Sequence, residues 1–185
     1  MDPSLSAVLR EWHDFYVLAG TASATLVGLM FVAVSIGTTI FDESRSAGMT
    51  AFISPTVTHF AAVLLMCLVA SMPSHTWFTL GVLLSAGALA GTLYSVGVVM
   101  KRIVRIVRKG FRIDLEDRLF YVFAPPAGYV LALVAAASLF FHDAVVSSDL
   151  IAAAMLTLLF VAIRNAWDMM VWIVIKTPGS GPPQA

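Results

Sequence analysis

Between Arg45 and Lys101 the chain runs for 55 residues without one charged side chain. A water-soluble fold of this size has too little interior to hide such a stretch. An α-helix crosses the hydrocarbon of a bilayer, about 30 Å thick, in about 20 residues. The stretch therefore reads as two spans joined by a hairpin. Its turn falls at Ser71-Met72-Pro73-Ser74-His75, the polar, Pro-containing break near the middle. Residues 15–41 give 27 uncharged positions and one span, and residues 119–142 give 24 and another. Residues 150–175 give 26 positions, interrupted by Arg164, Asn165 and Asp168. The apolar piece 150–163 has only 14 residues, too few to cross alone. Either the last helix carries its charges into the membrane, or it stops short at Arg164.

The expected fold is an all-α integral membrane bundle of five transmembrane helices, at 15–38, 51–72, 77–100, 119–141 and 150–175. It forms one domain over 1–176, with a Pro/Gly-rich, disordered tail at 177–185. Composition agrees: 59% of residues are apolar, 12% are charged and the mean hydropathy is +0.91. This argues against a secreted enzyme, a nucleic-acid-binding domain and a disulfide scaffold. Cys67 is the one cysteine, so it reads as packing rather than as half of an intrachain disulfide. The opening MDPSLSAVLREWHD lacks a strong basic segment, and the apolar run after it is too long for a signal peptide. That run reads as a retained span, preceded by a turn or two of amphipathic helix.

Orientation follows the positive-inside rule. The connection KRIVRIVRKGFRIDLEDR holds seven Lys and Arg residues and is expected in the cytoplasm. Alternation then places the N-terminus outside, HDAVVSSD outside and the C-terminus inside. The outer segments sum to −4 and the inner ones to +4. Trp12, Tyr16, Trp77, Phe140 and Phe141 fall at the outer interface and Phe120, Tyr121 and Trp172 near the inner one, where aromatic belts sit.

Polar residues inside the spans are the candidates for chemistry. Arg164 and Asp168 are four apart, share a helix face and are placed to pair. Counted from the inner boundary, Asp168 lies roughly 10 Å deep, Asn165 roughly 15 Å and Arg164 roughly 16 Å. His59 in the second span lies roughly 12 Å deep on the same count. One shared polar cluster would shelter all of them. It reads as an ion pathway, as an ion pair and hydrogen-bond network that pins the bundle, or as an arginine snorkelling to the interface. Ser54, Thr56 and Thr58 flank Pro55, which removes a backbone donor, so this stretch suits either a pathway wall or a tolerated proline. Pro125 and Pro126, with Gly128, should break or bend the fourth span, as a gate or as a structural bend.

Small residues recur every four positions: Gly20, Ala24 and Gly28 in the first span, Gly87 and Gly91 in the third, Ala124, Gly128, Ala132 and Ala136 in the fourth. They let helices approach closely, and their number favours a homo-oligomer. Lys101, Arg105, Arg108 and Arg112 repeat at helical spacing beyond the third span, placed to meet anionic lipid. Glu11, His13, Asp14, His75, His142 and Asp143 gather on the outer side, but without ligand spacing, so no metal site is expected. No GxSxG, HExxH or phosphate loop occurs, and no catalysis, cofactor or nucleic-acid binding is expected.

The run TLVGLMFVAVSIG resembles segments of small prokaryotic membrane proteins. Nothing is carried over from this resemblance; the expected location, as a multi-pass protein of the cell membrane, follows from the spans. The expected function is a small ion channel or transporter, with its pathway along the second, fourth and fifth spans. The alternative is a non-transporting oligomeric scaffold or regulator of another membrane protein. Arg164 argues for an anion; Asp168 and the acidic outer face argue for a cation or proton.

Overall fold

The computed structural model describes residues 4–40, 43–73, 75–109 and 123–176. Every regular element among them is helical: α1 Leu5–Glu11, α2 His13–Ile40, α3 Glu43–Ser71, α4 Trp77–Lys109, α5 Ala124–Phe140 and α6 Ala144–Lys176. The tail 177–185 lies outside the described residues.

Local chemistry sets the helix ends. The Ser4 hydroxyl accepts from the Ala7 amide at 3.3 Å and starts α1, whose Leu5 and Val8 are buried. The α3–α4 turn closes where His75 Nε2–H donates to the Val69 carbonyl at 2.6 Å. Thr76 and Thr79 then cap α4 reciprocally, each side-chain oxygen accepting from the other's amide at 3.0 and 3.1 Å.

The last helix begins six residues earlier than expected, at Ala144 rather than 150. His142 takes a left-handed φ of 63° and Asp143 Oδ1 accepts from the Val146 amide at 3.0 Å. Ser147 and Ser148, which look like loop residues, are buried inside the helix, and the Ser147 hydroxyl donates to the Ala135 carbonyl at 2.9 Å. The expected loop HDAVVSSD therefore shrinks to a tight turn, and α6 has room to run about 30 Å from Ala144 before it meets Arg164.

Among the described residues, three helices are long and apolar enough to cross a membrane: His13–Ser35, Trp77–Met100 and Ala144–Asp168. The apolar parts of α3 and α5, Pro55–Ser71 and Ala124–Phe140, are shorter. The 17 residues of α5 rise about 25 Å, somewhat less than the hydrocarbon. Large apolar side chains point outward from the long helices: Leu18 is 71% exposed, Phe31 64%, Leu93 66% and Phe160 61%. A surface this apolar is compatible with a bundle whose solvent is lipid.

Helix α6 forms the centre, packed against α3 on one side and α5 on the other, while α4 covers α5 and α2 covers α3. The small-residue row of α5 makes its contacts close. Ala132 and Ala136 are buried, and a Cβ on Gly128 would stand 2.9 Å from Leu158 of α6. Gly128 is thus a packing position between α5 and α6.

The prolines differ in their effect. α3 continues across Pro55, which is buried within it. Pro125 and Pro126 occupy the first turn of α5, next to the N-cap Phe123. There a missing N–H costs nothing and the fixed φ suits the helix. They open the described helix, which is continuous over 124–140. Residues 119–122, where that span was expected to start, lie outside the described residues.

Candidate functional site: a polar pocket beside His59

His59 sits on the inward face of α3 and is 3% exposed. Its Nδ1 lies 2.9 Å from the hydroxyl of Tyr129, on α5. Tyr129 is itself 1% exposed. The ring fits because α4 offers Gly91 opposite it: a Cβ there would stand 2.2 Å from the Tyr129 ring. A tyrosine buried in an apolar bundle needs a partner for its hydroxyl, and His59 is that partner.

Next to this pair lies a cavity of 10 Å³, lined by Pro55, His59, Tyr94, Ser95, Pro125 and Asn165 among others. It has room for about one water molecule. Asn165 is 3% exposed, and its buried Oδ1 accepts no hydrogen bond. An orphaned buried acceptor costs about 1–3 kcal/mol. Across the Tyr129 ring, between α3 and α4, lies a second cavity of 60 Å³ with apolar walls that include Ala62, Met66 and Leu84. The His59–Tyr129 hydrogen bond stands between a small polar cavity and a larger apolar one.

His59 and Asn165 line one cavity, together with Ser95 and Tyr94. Thr56 is buried and Thr58 half-buried on α3. The side chain of Ser54 lies outside the described residues. Arg164 and Asp168 do pair, with Arg164 Nε donating to both carboxylate oxygens at 3.4 Å. Their side chains are 36% and 29% exposed, and they do not line the cavity. Polar residues on α6 thus form two tiers: Asn165 faces inward, and the ion pair lies nearer the surface.

The small residues divide likewise. Gly20 meets Cys67 of α3, where a Cβ would approach to 3.1 Å, and Gly91 takes the Tyr129 ring. Ala24 and Gly28 are exposed, and nothing lies within 4 Å of a Cβ on Gly28 or Gly87. α4 continues as helix through Lys101, Arg105 and Arg108, whose side chains, like all of Arg112, lie outside the described residues. Among the described residues, no three His, Cys, Asp or Glu side chains come together to hold a metal ion.

Sequence reasoning missed Tyr129 and Ser95. For Tyr129 a signal was present, a phenol in the middle of an apolar run, but its partner is 70 residues away. No protein-family model matches this chain, and no curated protein or solved structure matches it either.

Proposed function

We propose that this chain is a five-span membrane protein that moves a small ion, as a channel or transporter, past His59, Tyr129 and Asn165. The spans are α2 to α6, with the N-terminus outside and the C-terminus in the cytoplasm of a cell. The orientation rests on the −4 and +4 split of loop charge. The observation that carries the function is Asn165. Its amide oxygen is buried and unpartnered, and the residue lines a cavity. A network that served only to pin helices together would gain by satisfying it. An acceptor kept open inside a bundle suits a species that comes and goes.

Pro125, Thr56 and Thr58 stand by the pathway, with Pro126 at the same helix start. The Arg164–Asp168 pair marks its mouth at the cytoplasmic end. Lys101, Arg105, Arg108 and Arg112 hold the extension of α4 to anionic lipid. A second copy docks on α2, supported by the outward-facing Ala24 and Gly28, where helices can approach closely.

Flux into liposomes carrying the purified protein tests this, with a panel of cations and anions. Movement of at least one ion above protein-free liposomes is expected, reduced by Asn165→Leu. Flux equal to the protein-free control for every ion tested would leave the second reading, an oligomeric scaffold. That reading draws on the same exposed small residues of α2.

A further inference from the structure

The size and lining of the cavity bear on what can pass it. We infer that the species moved past His59 is the proton, relayed through the His59–Tyr129 hydrogen bond; this rests on the pathway reading above. The cavity measures 10 Å³. That is room for about one water molecule, whereas a hydrated ion brings a shell of about six. A hydrated metal ion or halide does not fit. A bare metal cation would have to replace its water with a cage of oxygens, as potassium filters do with rings of carbonyls. Here the wall offers hydroxyls, one amide and one imidazole, and completes itself with Val98 and Val99. Among the described residues, no carboxylate lines it for a cation and no Arg or Lys for an anion.

A proton needs only a chain of groups that both accept and donate. One water in the cavity can donate to Asn165 Oδ1, which fills the orphaned acceptor and holds that water beside His59. A proton on this water passes to one nitrogen of the neutral imidazole, leaving water behind. The imidazolium then carries N–H on both nitrogens and donates from Nδ1 to the Tyr129 oxygen. The Tyr129 hydroxyl takes that proton as it gives its own to water on the far side. His59 and Tyr129 end neutral, and one proton has crossed. The far side is the apolar cavity of 60 Å³. Apolar cavities of this kind stay dry, so water enters it only transiently, and this makes it the gate.

The surroundings of His59 are consistent with this use. Among the described residues the titratable groups near it are Tyr129 on α5 and Tyr94 on α4. On α6 the Arg164–Asp168 pair balances its own charge. α2 carries no titratable side chain between Tyr16 and Ser35.

The test uses the full chain in liposomes with a pH-sensitive dye inside, the membrane potential clamped and a pH step imposed. Proton entry is expected, with sodium, potassium and chloride moving no faster than in protein-free liposomes. Tyr129→Phe keeps the ring and removes the relay oxygen, and His59→Ala removes the acceptor. Each should slow proton entry at least tenfold, with melting of each variant checked in detergent. Should His59→Ala fail to assemble, Tyr129→Phe alone decides. Proton entry unchanged in assembled Tyr129→Phe overturns the relay. Sodium, potassium or chloride flux in place of proton flux overturns the proton and leaves the pathway standing. No flux of any kind removes both.

Discussion

Gly91→Ala is the smallest change that reaches the candidate site. The methyl group would stand 2.2, 2.3 and 2.8 Å from three atoms of the Tyr129 ring. Carbon atoms in ordinary contact sit about 3.5–4.0 Å apart, so the ring must retreat by more than about 1 Å. It has little room to do so, being 1% exposed and hydrogen-bonded to His59 at 2.9 Å. A retreat of that size stretches the bond beyond hydrogen-bonding range. Overpacking costs about 1–3 kcal/mol and the lost buried bond about 1 kcal/mol more. The total of about 2–4 kcal/mol corresponds to a fall in Tm of about 5–15 °C for a chain of this length. Thermal unfolding in detergent reads it. Gly28→Ala and Gly87→Ala are the controls, since nothing lies within 4 Å of either added Cβ, and both should melt within about 2 °C of the parent. Tyr129→Ala in the Gly91→Ala background removes the clash. Stability should recover relative to the summed single losses by at least about 1 kcal/mol. A Gly91→Ala protein that melts with the parent would refute the placement of the ring.

Four further outcomes are expected. Tyr129→Phe leaves His59 Nδ1 without its hydroxyl partner and should lower stability by about 1–3 kcal/mol, measured by the same melts. Ser23→Ala removes the donor to the Phe60 carbonyl at 2.6 Å and should cost less, about 0.6 kcal/mol, because the carbonyl belongs to a helix. Arg164→Ala and Asp168→Ala should each reduce the yield of assembled protein, and the double variant should be milder than the two losses summed, as folded yield by size exclusion will show. Reporter fusions at residues 110 and 180 should both report cytoplasm, and an external signal at either ends the proposed orientation.

The sequence made the helices legible wherever charge marked their ends. As helices, α2 and α4 cover the stretches expected at 15–38 and 77–100, α3 covers 51–71 of the expected 51–72, and the α3–α4 turn lies where Pro73 and His75 placed it. The start of α6 was hidden because Ser147, Ser148 and Asp149 look like loop. In the fold, Ser147 satisfies itself on a carbonyl of α5 and can be buried, a partnership that no local pattern shows. The meeting of His59 with Asn165 was legible from depth along two helices. Which way Arg164 and Asp168 faced was not, since that depends on the rotation of α6 against its neighbours. Tyr129 was hidden for a related reason: the space for its ring comes from Gly91, on a different helix.

The order of the helices along the chain has a consequence for biosynthesis. Half of the apolar window of α6 is buried, 50% against 22% in α2 and 17% in α4. The most enclosed helix is also the last of the described elements to leave the ribosome. Until it arrives, the inward face of α3, with His59, Val63 and Cys67, has no α6 to cover it. On the five-span reading, the early helices enter the bilayer before α6 can cover that face of α3. On that reading, the packing of α6 against α3 comes last among the described elements.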